Sequence, residues 1–114
     1  MQDCLFCKII SKEIPAEIVY EDDRTLAFKD IRPAAPAHIL VIPKKHIPTL
    51  VDLQAEDAEL MGHIVLTASR LADKLGVSEE GFRLVSNCKE AGGQTVFHIH
   101  FHLIGGRQMQ WPPG

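Results

Sequence analysis

One stretch constrains the chain more than any other: Phe97-His98-Ile99-His100-Phe101-His102-Leu103-Ile104. Histidine and apolar residues alternate there with a period of two, which a β-strand resolves onto opposite faces. The alternation predicts a strand over residues 95–104. Phe97, Ile99, Phe101 and Leu103 would pack inward, and His98, His100 and His102 would form a row on the other face. Neighbouring rings would stand about 6.5–7 Å apart, two residue rises. They can then share one substrate or one hydrogen-bond chain. Three imidazoles in register set this stretch apart from a half-buried strand that happens to carry one histidine.

The remaining segments supply partners for such a strand. Residues 3–11 predict a short helix capped by Asp3, with Leu5, Phe6, Ile9 and Ile10 on its apolar side. Short strands are expected over 17–20 and 25–31, around the turn Glu21-Asp22-Asp23-Arg24. The segment 38–43 is apolar enough to be buried on both faces. Residues 52–75 contain a long helix on which Leu60, Ile64, Ala68, Leu71 and Leu75 make one stripe. His63, Thr67, Arg70 and Lys74 fall on a more polar side, so His63 reads as a surface residue. Gly76 suits the C-terminal cap. A strand over 82–86 and a loop over 87–94 lead into the histidine strand, and residues 105–114 have no periodicity. The 114 residues hold no repeat or linker, which suits one domain over 1–114. Strands around one long helix give an α+β domain on a mostly antiparallel sheet.

Charge and composition narrow the function classes. A net charge of −3 offers no basic footprint for duplex nucleic acid. No apolar run reaches membrane-span length, and the N-terminus lacks the basic and apolar regions of a signal peptide. Three cysteines, an odd number, argue against a disulfide scaffold and for a reducing cytoplasm.

The chemistry-bearing residues fall in two groups. The loop Asn87-Cys88-Lys89-Glu90-Ala91-Gly92-Gly93-Gln94-Thr95 precedes the histidine strand. Its glycines let backbone amides approach an anion closely, and Thr95 adds a hydroxyl. An anion-binding loop feeding a row of imidazoles points to phosphoryl or nucleotidyl chemistry, ahead of a pure metal site. The second group is Cys4-x-x-Cys7 with His46 and one histidine of the row. Two thiolates and two imidazoles fit a tetrahedral zinc ion. The alternative is that the cysteines are small packing residues on a short helix, and Cys88 has no evident partner. Asp30 suits either a sugar hydroxyl or a plain turn. Phe6, Ile9, Phe28 and Ile31 suit a core. Trp111, in a Pro-rich tail, can stack on a base or a partner subunit, or staple the terminus.

The HIHFHLI run resembles the signature of the histidine-triad superfamily, and the chain is similar to its Hint branch of nucleotide-binding proteins. KIISKEIPA, LAFKDI, APAHILVIPKKHI and NCKEAGGQTVFHIHFHLIGGRQMQWPPG carry the likeness across nearly the whole chain. The resemblance implies an α+β protomer with a five-stranded sheet, one long and one short helix, and a homodimer with a ten-stranded sheet. It implies a purine nucleoside phosphoramidase acting on AMP-like substrates. His100 would be the nucleophile forming a nucleotidyl-histidine, His102 would contact the phosphate, and His98 would orient the triad. Asn87, Gly93, Gln94 and Thr95 would position the α-phosphate, with Thr95 also helping to protonate the leaving amine. Asp30 and Ile31 would flank the ribose, Phe6, Ile9 and Phe28 the base. His38 would support the triad, and Trp111 would reach toward the partner subunit's site.

The chain departs from that branch in three places. Thr95 stands where serine is common, and Gln110 where many animal members have histidine. Cys4 and Cys7 instead resemble zinc-bearing relatives, in which the equivalents of Cys4, Cys7, His46 and His98 hold a structural metal. Other readings are a dinucleoside polyphosphate hydrolase or nucleotidyl transferase, against which the WPPG tail argues, and a nucleotide-binding regulatory module with little turnover.

Overall fold

A computed structural model describes residues 3–114. The elements run α1 (Leu5–Ile10), β1 (Ile18–Glu21), β2 (Thr25–Lys29), β3 (Ala37–Pro43), α2 (Ala58–Lys74), β4 (Phe82–Val85), α3 (Lys89–Gly92) and β5 (Phe101–Gly105). The five strands form one sheet in the order β1-β2-β3-β5-β4, and every neighbouring pair is antiparallel. The α+β expectation holds.

The central strand β3 shows how the sheet divides the interior. It is buried on both faces, and alternate residues enter different cores. Ile39 and Val41 pack with Ala27 and Leu103 against Ile64, Ala68, Leu71 and Ala72 of α2. Leu40 and Ile42 pack with Leu26 and Phe28 against Phe6 and Ile9 of α1. Leu103 belongs to the α2 side, so the alternation of β5 sends His102 to the α1 side.

Several expectations need correction. The N-cap of α1 is Cys4, whose Sγ accepts the Cys7 backbone N–H at 3.3 Å; Asp3 stands one residue too far upstream. The inward stripe of α2 takes in Thr67, which is buried, while Leu75 is 38% exposed. Two single turns of 3-10 helix precede α2, and the helix proper starts at Ala58. The histidine strand is shorter than its alternation suggests, because the β5 ladder begins only at Phe101. Val41 pairs with Phe101, and continuing that register would set Ile99 opposite Pro43, which has no N–H to donate. Ile99 instead donates its N–H to the Ile47 carbonyl at 2.7 Å. Phe97, expected inside, is 49% exposed. Among the described residues, no helix is long and apolar enough to cross a membrane.

His63 is no free surface histidine. Its Nε2–H donates to Asp22 Oδ2 at 2.8 Å, tying α2 to the β1–β2 turn. Asp22 also accepts the Tyr20 hydroxyl and the backbone amides of Arg24 and Thr25. Burial alone would raise its pKa, but these four donors outweigh burial and hold the carboxyl well below the usual carboxylate range. Asp22→Ala should therefore cost about 2–3 kcal/mol of stability in denaturant unfolding. Stability conferred by a depressed carboxyl is full above its unfolded pKa of about 4 and is lost as the pH falls toward its folded value. The variant should accordingly lose stability less steeply than the parent between about pH 5 and pH 2.

Candidate active site

Two cavities' worth of chemistry meet at the start of β5. A cavity of about 350 Å³ lies between α1, the end of β2 and the histidine segment. Phe6, Ile9, Phe28, Asp30, Ile31, Thr95, His100 and His102 of the expected site residues line it. The sequence did not single out Leu5, Ile14, Pro15, Ala16, Lys29, Leu40 and Val96, which complete the wall. Ile14-Pro15-Ala16 is where the chain leaves α1, and only the packing of that bend over Phe28 makes it part of a wall. Leu40 could have been found by register, since it pairs with both Phe28 and His102.

The floor of the cavity is aromatic. Phe6 stands edge-on to Phe28 at 5.5 Å and to His100 at 5.0 Å between ring centroids. The His100 and His102 centroids lie 5.1 Å apart, closer than strand spacing alone predicts, with their ring planes at 63°.

Hydrogen bonds set these two rings apart. His100 Nδ1 lies 2.8 Å from the His98 carbonyl, which can only accept, so Nδ1 carries the proton and Nε2 presents a lone pair. The order is reversed at His102. The Ala34 backbone N–H donates to His38 Nδ1 at 2.9 Å, which leaves the His38 proton on Nε2. That Nε2–H lies 2.9 Å from His102 Nδ1 and 3.3 Å from Asp30 Oδ2. His102 Nδ1 is then the acceptor, and its own proton sits on Nε2. His38 and His102 are diagonal neighbours across the β3–β5 pair, which places them in reach of each other. Burial pushes the His102 pKa down to about 4, helped by the neighbouring His100 and His38. Burial also lowers the pKa of His100. Both rings are therefore neutral near pH 7, one an acceptor and one a donor at the same cavity.

His98 turns away from this pair, out of the row that the alternation predicts and toward the Cys4, Cys7 and His46 group that the resemblance implies. It is fully buried, donates Nε2–H to the Pro43 carbonyl at 2.7 Å, and so presents Nδ1 as a lone pair. That nitrogen stands 3.4 Å from Cys4 Sγ, 3.6 Å from Cys7 Sγ and 3.2 Å from His46 Nδ1. His46 Nδ1 is 3.4 Å from Cys7 Sγ. The four donor atoms all lie within 4.8 Å of one another and can hold a metal ion. Burial and the hydrogen bond with Cys4 push the Cys7 thiol up, a penalty that a cation among these atoms reverses.

Asn87, Gly93, Gln94 and Trp111 do not reach the cavity wall. Gly93 takes φ +88° and closes α3 by donating its N–H to the Glu90 carbonyl. Gln94 is buried, and its side chain is fully engaged. Oε1 accepts the Lys89 N–H at 2.7 Å, and Nε2 donates to the carbonyls of Pro48 and Val96. Trp111 is 83% exposed on the tail.

The family model for the HIT domain matches residues 11–109. A HIT-like protein of Synechococcus elongatus is 55% identical over 113 residues, covering 99% of this chain and 98% of that relative. Among solved structures, a HIT family hydrolase from Legionella pneumophila is 58% identical with a TM-score of 0.97, covering 98% of this chain and 100% of that one. A histidine triad nucleotide-binding protein from Candida albicans is 32% identical with a TM-score of 0.81, covering 96% of this chain and 83% of that one.

Nitrogen-15 NMR of the unliganded protein at pH 7 should find His100 as the Nδ1–H tautomer and His102 as the Nε2–H tautomer. His102 should gain its second proton only near pH 4. The opposite tautomer at either ring would contradict the hydrogen-bond assignment.

Proposed function

The chain belongs to the HIT domain family, and from that premise we propose that it is a purine nucleoside phosphoramidate hydrolase working through a nucleotidyl-histidine intermediate. One observation carries the reading: a bare imidazole nitrogen on His100 and an N–H on His102 face one cavity whose floor is apolar. Attack on phosphorus needs the first and a charged phosphoryl oxygen needs the second. The whole chain, 1–114, acts as one HIT domain.

The purine lies against Phe6, Ile9 and Phe28, and the ribose beside Asp30 and Ile31. His100 Nε2 bonds to the α-phosphorus while the P–N bond breaks. The departing amine takes a proton, delivered with the help of the Thr95 hydroxyl at the cavity rim. His102 Nε2–H stays on a phosphoryl oxygen throughout. Water then bonds to phosphorus and returns a proton to the Thr95 hydroxyl, the bond to His100 breaks, and the nucleoside monophosphate leaves. His98 holds His100 in its reactive tautomer through its carbonyl, and His38 does the same for His102. Gln94 keeps the loop that carries Asn87 and Gly93 in shape behind the cavity wall.

Cys4, Cys7, His46 and His98 would hold one structural zinc ion. Bond lengths of about 2.3 Å to sulfur and 2.05 Å to nitrogen make tetrahedron edges of about 3.3–3.8 Å. The observed separations of 3.2, 3.4, 3.4 and 3.6 Å fit them. Four protein ligands leave no open position, so the ion would tie segments together and take no part in the reaction. The reduced cysteines suit a cytoplasmic setting. The sheet leaves β4 as an edge strand, whereas the β1 edge carries the Lys12–Glu21–Lys44 ion pairs. An open edge supports a homodimer with ten strands, in which Trp111 reaches the partner's leaving-group side. Light scattering should then give twice the 12.7 kDa chain mass.

His100→Ala should lower turnover of adenosine 5′-phosphoramidate by about 1,000-fold or more while the protein stays folded. Mass spectrometry of enzyme quenched with substrate should find the nucleotidyl group on His100. Undiminished turnover, or binding of AMP with no turnover of any phosphoramidate, would defeat the reading; the latter would leave a nucleotide-binding module. Elemental analysis without chelators should find about one zinc per chain, and His98→Ala should lower zinc content and thermal stability together with activity. Less than about a tenth of an equivalent would remove the metal.

A further inference from the structure

The C-terminal tail touches the active site through hydrogen bonds that no role assigned above requires. Arg107 Nε–H donates to the Ala34 carbonyl at 2.9 Å. The backbone N–H of Ala34 donates to His38 Nδ1 at 2.9 Å, and His38 passes the order to His102 at 2.9 Å. The segment that carries Ala34 has few other anchors of its own. It reads Pro33-Ala34-Ala35-Pro36, and its two prolines have no N–H. The tail also lies directly on it. Gly106 takes φ +93°, and a Cβ there would stand 3.1 Å from Pro36 Cβ, so only glycine allows this approach.

We propose that Arg107 is a positioning residue: by holding Ala34, it fixes the His38 tautomer and thereby keeps a proton on the cavity-facing nitrogen of His102. The inference rests on the phosphoryl-transfer reading for its effect on rate, and on hydrogen bonding alone for its effect on the tautomer. The direction follows from the inventory of donors. With the Ala34 N–H in place, His38 Nδ1 must accept, so Nε2 donates to His102. With Ala34 displaced, His38 can carry its proton on Nδ1. His38 Nε2 is then a lone pair, His102 Nδ1 must supply the proton between them, and His102 Nε2 becomes bare. The cavity would then present two lone pairs to a phosphoryl oxygen and no donor. Asp30, at 3.3 Å from His38 Nε2, favours the native arrangement, so loss of Arg107 gives a mixture of the two.

The test compares Arg107→Ala and Arg107→Lys with the parent, by nitrogen-15 NMR of the unliganded protein and by kinetics on adenosine 5′-phosphoramidate. Arg107→Ala should show His102 as a mixture of tautomers, a kcat lower by about tenfold, and a KM within about twofold. Arg107→Lys, which keeps one donor, should recover most of the kcat. Ala34→Pro removes the N–H directly and should give the same His102 signature; it serves if the alanine variant does not fold. A His102 that stays wholly Nε2–H in Arg107→Ala overturns the proposal. So does a loss confined to KM, or a kcat deficit that lysine leaves unchanged. If the parent turns over no phosphoramidate, the hydrolase reading fails, and the NMR signature alone decides the role of Arg107.

Discussion

The site depends on one residue that is bonded in three directions. His98 gives its Nε2–H to the end of β3 at Pro43, its Nδ1 lone pair to the cluster of Cys4, Cys7 and His46, and its carbonyl to His100. Each bond fixes something different. The first holds the pre-strand segment against the sheet where Pro43 interrupts the ladder. The second draws in the N-terminus of α1, so that Phe6 closes over His100. The third sets which nitrogen of His100 is bare. A fully buried imidazole with every polar atom engaged satisfies the demands of burial, and it makes fold and site hard to alter separately.

Adjacent residues of the same type thus acquire different chemistry from their hydrogen-bond partners. His100 and His102 share a face and lie side by side, and burial keeps both neutral. A backbone carbonyl makes one an acceptor toward the cavity. A chain from Ala34 through His38 makes the other a donor. Nothing in either side chain distinguishes them, so the functional asymmetry belongs to the surroundings. The same holds for Cys4 and Cys7. Their sulfurs would be ordinary small apolar groups but for the two imidazole nitrogens aimed at them, while Cys4 also caps the helix that carries them.

Much of this was legible in the residues, and the rest was hidden for identifiable reasons. The period of two placed Ile99 and Leu103 in the core and the histidines off it, but it overstated the strand. Alternation reports which way a side chain points and says nothing of whether the partner strand can still pair. Pro43, 55 residues away, decided that. The stripe on α2 holds at Ile64, Ala68 and Leu71, and Thr67 joins it because a threonine can be buried despite its hydroxyl. His63 looked like a surface residue because its partner, Asp22, is 41 residues distant. Gln94 looked like a phosphate contact. Its amide is instead fully taken up by backbone groups of its own loop and of Pro48.

The amino-acid sequence by itself determined the class of the fold, the strand that carries the chemistry, and the residue types available to a phosphate, a base and a metal. Those follow from periodicity and side-chain chemistry, which are local. The tertiary structure alone decided which nitrogen of each histidine bears its proton, and it supplied the distances that set His98 in the Cys4–Cys7–His46 cluster and the other two at the cavity. That choice depends on distances of about 3 Å between groups far apart in the chain, and a hydrogen bond is specified only when both partners have been brought to it.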